Sequence, residues 1–321
     1  QRENAQTEER VSAKKKAKGR DVIVSRLRSY LRQVAVIPVG IDLVLLSTEF
    51  VVLRPKSQDD VGFLVPYILS EPIQSILAWS QDGNEHPRFN EQVLLSVLVI
   101  PRVLALRERL NRIVGDAAAS LTNSAKCYTE AEVLLESALG LDKLDLTPKL
   151  SYQRRHADVQ AAGRCDAEYF NPRMQNLIVA LSHGGLTIAN VAKLSKRRFR
   201  PKPGTQFHYI EIANVTGSGT AESSAVAGEE APSRATWTVK PGDIITTTVR
   251  PIRRLSAIIT DEQDGHVCTS GFAVLAPRNI APELLLVYLR LPLVCELLDL
   301  YTTASMYPAI ATDDLMKIPI L

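Results

Sequence analysis

The chain has 321 residues, 45% of them hydrophobic, 23% charged and 6% aromatic, with a formal net charge of +3. That length allows about two domains with cores of their own, and the longest apolar runs, 93–100 and 284–289, fall far short of the roughly 20 residues of a membrane helix. Four scattered cysteines (Cys127, Cys165, Cys268 and Cys295) with no CxxC pair exclude a zinc ribbon, a thioredoxin motif and a disulfide scaffold, and fit a reducing cytoplasm.

The chain starts at Gln1 with a polar stretch, which is expected of a trimmed or truncated start rather than a signal peptide. Residues 1–32 hold ten Lys/Arg, among them Arg26, Arg28 and Arg32, against four acids. A second basic patch, 149–204, holds eleven, including Lys196, Arg197 and Arg198, against three acids. Two basic patches on a nearly neutral chain fit a polyanion-binding protein, although solvated loops would show the same excess.

The segment from Gly19 to Pro55 aligns without a gap on Pro241 to Pro277, at an offset of 222, with 11 of 37 positions identical. Chance would give roughly two. Asp21 falls on Asp243, Arg28 on Arg250, Arg32 on Arg254 and Phe50 on Phe272; small gaps later put Tyr67 on Tyr288 and Ile100-Pro101 on Ile318-Pro319. Each copy predicts the same series. A strand follows the Asp (22–24; 244–246), then a basic turn, then two more strands (34–37 and 50–53; 257–260 and 272–275). An amphipathic helix comes next, 62–79 and 282–301, then a polar loop, 80–89 and 302–310, and a short apolar run into Ile-Pro. The fold class expected is mixed α/β (α+β), as two repeated domains.

Between the copies, apolar or small residues recur from Val103 to Ala138 at steps of three and four, a heptad seam with one stutter. Pro101 before it and Gly140 after it are start and stop signals. The expectation is one long helix that wants a partner helix, the alternative being a helix folded back on its neighbours. The second copy has a front end that the first lacks: Asn171-Pro172 opening a helix to Ser182, the basic stretch 193–202, a strand around 209–212 and a small-residue loop 214–233. The offset puts about 60 residues of the first domain before Gln1, so the sequence is expected to be a fragment. The division expected is 1–101 as first domain, 102–140 as spacer helix, 141–162 as linker and 163–321 as second domain.

Two copies of an α/β domain joined by a long helix resemble the specificity subunits of type I restriction-modification systems. The strings that carry the resemblance are Asp166-Ala167-Glu168-Tyr169-Phe170, Tyr209-Ile210-Glu211-Ile212, Pro241-Gly242-Asp243-Ile244 with Arg250-Pro251, and the closing Ile318-Pro319. The resemblance implies two target recognition domains, each reading half of a split double-stranded DNA site, with the helix as spacer and as docking surface for methyltransferase subunits. It implies no cofactor in this chain: S-adenosylmethionine and ATP would belong to methyltransferase and restriction (nuclease or translocase) subunits in a bacterial or archaeal cytoplasm, away from any membrane. Against the family pattern, the first head is expected to be missing, a second spacer helix after Leu321 is not expected from these residues, and Arg20 of Gly19-Arg20-Asp21 is an insertion.

DNA affinity would come from Arg and Lys on phosphates, and specificity from contacts to base edges. Arginines retained in both copies (Arg28 and Arg250, Arg32 and Arg254), with Arg26 and Arg253 beside them, point to phosphate contacts; ion pairs with Asp42 and Asp264 are the alternative. Base readers are expected where the copies differ. These are Asn214, Thr216 and Ser218 in one loop, Asn84, His86 and Arg88 in the first polar loop, and Thr303, Ser305 and Tyr307 in the second. His86 could equally be an ordinary surface histidine, and Tyr307 a half-buried aromatic.

Enzyme signatures are missing. There is no HExxH spacing, no Gly-Lys pair for a P-loop, no Pro-aromatic after Asn171-Pro172, and no carboxylate two residues before a lysine. The chain reads as a non-catalytic recognition subunit, with the target-recognition tail of a fused restriction-methyltransferase, or a protein-binding scaffold, as alternatives.

Overall fold

The computed structural model describes residues 13–56, 61–303 and 306–320. The chain divides into two units, 1–123 and 124–321. Both mix helix and sheet.

In the first unit, strands β1 (Lys14–Ala17), β2 (Val22–Ser25), β3 (Val34–Val36), β4 (Val44–Ser47) and β5 (Phe50–Leu53) precede helices α1 (Val61–Leu69) and α2 (Glu71–Trp79). A small ribbon of β6 (Gln81–Asp82) and β7 (Arg88–Phe89), then α3 (Glu91–Ser96) and α4 (Pro101–Leu104), lead to α5 (Arg107–Ala138). β2 lies between β3 and β5, antiparallel to both, and β1 pairs with β4. Val22, Val24 and Val51 bury one face of this sheet against Phe89 and the apolar sides of α1 and α2, where Ile68, Ile73 and Leu77 lie. α1 also leans on α5 so closely that a methyl group on Gly62 would sit 2.7 Å from the Asn111 Cα. The Asn111 carboxamide oxygen accepts from the Phe63 amide at 2.6 Å.

The second unit begins with the last turns of α5, then α6 (His156–Ala162), α7 (Ala167–Phe170), α8 (Pro172–Leu181), β8 (Leu186–Thr187), α9 (Ile188–Val191) and β9 (Ala192–Leu194). Strands β10 (Gln206–Ile210), β11 (Ser224–Ala227), β12 (Ala235–Thr238), β13 (Ile244–Thr247), β14 (Ser256–Ile258), β15 (Val267–Thr269) and β16 (Phe272–Pro277) follow. Last come α10 (Pro282–Arg290), α11 (Pro292–Leu300), the ribbon β17 (Thr302–Thr303) and β18 (Ala309–Ile310), α12 (Thr312–Leu315) and β19 (Pro319–Ile320). Two four-stranded sheets form, in the orders β14-β13-β16-β9 and β11-β10-β15-β12. Leu177, Leu181, Ile188, Leu285, Tyr288, Leu289 and Ile318 fill the larger core.

The repeat holds residue by residue. Val22 faces Val36 and Leu53, and Ile244 faces Ile258 and Leu275, each pair displaced by the same 222 positions. The two helices, the ribbon and the short helix after it recur in the same order in both units.

Several sequence expectations need correction. The helix expected over 62–79 is two helices bent by 64° at Ser70, whose backbone is extended. The helix expected over 282–301 breaks in the same way at Leu291. Pro72 and Pro292 fall in the first turn of the second helix of each pair, where a proline lacks the amide that would continue the ladder of the helix before it; Pro292 also directly follows the extended Leu291. The spacer is not continuous from Val103 either, because it turns at Ala105 and Leu106 before α5 starts. Its 32 residues span about 48 Å, and Gly140 stops the chain in a left-handed conformation (φ 65°). Seam positions Leu106, Ile113 and Leu121 are 47%, 55% and 73% exposed, whereas Leu135 packs on the larger core. The loop expected over 214–233 contains β11, paired antiparallel with β10. Ile100-Pro101 starts α4 rather than a strand, while its counterpart forms β19, paired with β8. Among the described residues no single helix is long and apolar enough to cross a membrane.

Candidate nucleic-acid interface

The strand that opens each repeat runs into a single 3-10 turn flanked by two arginines. Arg28 and Arg32 bracket Ser29–Leu31, and Arg250 and Arg254 bracket Pro251–Arg253. All four arginines are left-handed, with φ of 51°, 50°, 51° and 59°. That region is unfavourable for a residue with a Cβ, so the surrounding structure must hold it. The anchors are the same in both units: the Arg28 amide donates to the Pro87 carbonyl at 2.8 Å, and the Arg250 amide to the Pro308 carbonyl at 2.8 Å. The turn is thereby tied to the small ribbon loop in each copy, which brings the retained arginines beside the loops that differ.

In the second unit this brings Arg250, Arg253 and Tyr307 into one cleft of about 560 Å³, together with Arg234, Tyr209 and Glu211. The Arg250 guanidinium donates to the Met306 carbonyl at 3.0 Å and lies 5.3 Å from the Tyr307 ring centre. Tyr307 is 65% exposed, so the half-buried alternative does not hold. Such a site offers cations suited to phosphates and, at the exposed Tyr307, a polar aromatic tip. Burial is the first cause that raises the Tyr209 hydroxyl above its ordinary pKa, so it stays a neutral donor and acceptor.

A second cleft, of about 420 Å³, shares Arg253 with the first and reaches α5 through Tyr128 and Glu132. Ser218 and Arg254 line it. Arg254 is committed there: its guanidinium pairs with Glu132 and donates to the Arg290 carbonyl at 2.6 Å. In the first unit Arg32 pairs with Glu71. The acids that answer these two arginines are therefore not Asp42 and Asp264.

The loop holding Thr216 and Ser218 is closed by its own hydroxyls. Thr216 Oγ1 lies 2.7 Å from Ser218 Oγ and 2.7 Å from Thr220 Oγ1. Asn214 is a cap whose oxygen accepts from the Glu211 amide at 2.7 Å, so its side chain is turned into the chain. Thr303 is exposed on the ribbon, and Ser305 lies outside the described residues.

In the first unit Asn84, His86 and Arg88 are exposed on the ribbon loop. Arg88 forms two parallel bonds to Glu49, at 2.7 and 2.8 Å, which hold the Glu49 carboxyl below its usual range. Its guanidinium is thus neutralised in place. Arg26 donates to the Phe89 carbonyl at 3.3 Å and adds positive charge near the same Glu49.

The basic stretch 193–202 divides. Lys196 and Arg198 are exposed, but Arg197 turns inward to pair with Asp243, which is 4% exposed, and to donate to the Thr238 carbonyl at 3.2 Å. Arg197 is a structural cation and not a surface contact. Sequence reasoning did not find Tyr209, Arg234, Tyr128 or Arg290; of these, only Arg290 carried a signal, as a charge inside an apolar helical run. Cys268 and Cys295 are buried, and burial pushes both thiols up to about 12, so neither is a thiolate nucleophile at neutral pH.

Fold and site together define a duplicated α/β chain in which each copy holds an arginine-bracketed turn against a variable loop. No family model and no curated relative matches the chain. Among solved structures it is similar to the HsdS subunit from Thermoanaerobacter tengcongensis, at 25% identity and a TM-score of 0.36, over 42% of this chain and 37% of that one. It is also similar to the S subunit of a type I restriction-modification system from M. genitalium, at 12% identity and a TM-score of 0.35, over 94% of this chain and 70% of that one. A third similarity is to a chain from work on complex assembly and conformational transition of the type I R-M system, at 19% identity and a TM-score of 0.32, over 96% and 72%.

Proposed function

We propose that the chain is a non-catalytic DNA-specificity subunit that recognises a bipartite duplex site. It would present that site to S-adenosylmethionine-dependent methyltransferase subunits and to an ATP-driven restriction subunit, in the cytoplasm of a bacterium or archaeon. The observation that carries the reading is the arginine turn, kept at the same offset and in the same left-handed backbone in both units, beside loops whose side chains differ. A shared cation suits the phosphate backbone common to every target, and differing loops suit two different half-sites. The cofactors belong to the partners in this reading, which rests on the family resemblance.

The test is a selection on random duplex DNA followed by salt titration of the enriched pool. Enrichment of a split motif, with affinity falling as salt rises, is the expected result. No enriched motif and no salt-sensitive binding would overturn the reading in favour of a protein-binding scaffold.

A further inference from the structure

Arg290 ends α10 and is 3% exposed. A guanidinium stays charged and carries five donors, so it is tolerated inside a protein only when acceptors surround it. Its Nε donates to the Tyr128 hydroxyl on α5 at 2.7 Å, and its Nη1 to the carbonyls of Ser256 at 3.0 Å and Thr216 at 3.4 Å. Its Nη2 donates to the Gly217 carbonyl. The Tyr128 ring centre lies 5.0 Å from the guanidinium carbon, which adds a cation–π contact. Among the described residues the partners of Arg290 are a hydroxyl and carbonyls, while the nearby Glu132 pairs with Arg254.

Two of these acceptors come from the loop of residues 216–220. That loop turns through Gly219 at φ +82°, where a side chain would be strained and would also meet Leu286 of α10 at 3.0 Å. Its backbone closes through the Thr216 amide on the Thr220 carbonyl at 2.8 Å, and its hydroxyls face one another at Thr216, Ser218 and Thr220. A buried cation solvated by the main chain of one short loop fixes the path of that loop. The offset that puts Tyr67 on Tyr288 puts Leu69 at the place of Arg290, so the device belongs to the second unit alone.

We infer that Arg290 is a positioning residue for DNA readout by the second unit. It holds the hydroxyl-bearing loop through the Thr216 and Gly217 carbonyls and couples that loop to α5 through Tyr128. The inference rests on the DNA-specificity reading for its consequence, but not for the loop-holding itself.

Two variants test it, read by amide hydrogen exchange and by selection on random duplexes. Tyr128→Phe removes one acceptor and keeps the ring, at a half-buried helix position where folding is not at risk. Arg290→Lys keeps the charge and loses the fork of donors. Exchange at the Thr216 and Gly219 amides is expected to rise about tenfold in Arg290→Lys and about threefold in Tyr128→Phe, the scale of one lost hydrogen bond. Exchange in β13 and β16 changes less than at the loop, and the unfolding midpoint of Tyr128→Phe falls by no more than the loss of one hydrogen bond allows. The selected motif is expected to lose base preference in one half only, which a general loss of structure would not do. Wild-type exchange rates at the loop in Tyr128→Phe, or a motif blurred in both halves, would overturn the inference. A parent chain that selects no motif overturns the DNA reading instead, and the exchange data then decide the loop-holding alone.

Discussion

Arg54 grips Asp21 with two parallel hydrogen bonds, Nε to Oδ1 at 2.9 Å and Nη2 to Oδ2 at 2.7 Å. In the other unit the equivalent Asp243 is held by Arg197, which comes from 46 residues earlier in the chain rather than 33 later. The two aspartates do one job: each accepts an amide three residues back, Lys18 at 2.9 Å and Lys240 at 2.8 Å, and so closes the turn into the first strand. The copies keep the acid and supply its arginine from unrelated places. Asp21→Asn should therefore destabilise the first unit, by less than a buried ion pair would give because Arg54 is more than half exposed, and urea unfolding would show it.

The same pair sets an acid response. The hydrogen bond from Arg54 is the first cause that lowers the Asp21 carboxyl below its ordinary pKa. The unfolded chain then binds the proton more readily than the folded one, so the contribution is complete above the ordinary aspartate value and is lost as pH falls through the depressed folded value. Stability measured from neutral pH down through that window should fall more steeply in the parent chain than in Asp21→Asn. Equal slopes would remove Asp21 as a source of the acid sensitivity.

Arg250→Ala and Arg28→Ala should each weaken DNA binding across sequences and shallow the salt dependence by about one unit of slope, the signature of a lost phosphate contact. Arg197→Ala should behave differently. It leaves Asp243 buried without its partner, so the unfolding midpoint drops, while the salt slope of the folded fraction stays as in the parent. Fluorescence anisotropy over a salt series, with a thermal melt of each variant, separates the two groups.

The repeat offset by itself makes the sheet legible in the sequence. Once Asp21 aligns with Asp243, the pairing of Val22 with Val36 fixes that of Ile244 with Ile258, because one residue of slip would turn the whole apolar face outward. The two retained arginine pairs are also visible there, but not why they are kept. The left-handed backbone of Arg28 and Arg250 is held by the ribbon carbonyls of Pro87 and Pro308, contacts across nearly 60 residues that no local pattern carries, whereas the Arg32 and Arg254 amides close on Ser29 and Pro251 within the turn. The apolar periodicity that marks 62–79 as one helix runs straight through both Pro66 and Pro72, and the helix breaks only before Pro72, so the position of the break is not readable from the prolines alone. Arg197 looks like its neighbours Lys196 and Arg198, and only the fold shows that alternation along the chain turns it inward.

Gly62→Ala should cost about 1–3 kcal/mol, the usual penalty for forcing a methyl group into a filled space. The new Cβ would meet the Asn111 Cα at 2.7 Å and its oxygen at 2.9 Å, and the nearer atom is backbone, which cannot swing away. Asn111→Ala removes the acceptor for the Phe63 amide and should destabilise the same contact between α1 and α5. The two changes share one interface, so in a double-mutant cycle they should fall short of additivity.

Gly115 points the other way. It lies in the interior of α5, where an added methyl group would meet nothing within 4 Å, and the residues from Asp116 to Cys127 are exposed. A glycine there costs about 0.5–1 kcal/mol relative to alanine, because the unfolded chain gives up more backbone freedom to enter the helix. Gly115→Ala should accordingly raise the unfolding midpoint and the helical signal of the chain without touching either arginine turn. Far-ultraviolet circular dichroism through a melt measures both. A lowered midpoint would mean that this face of α5 is packed in solution, with the added methyl displacing whatever lies against it.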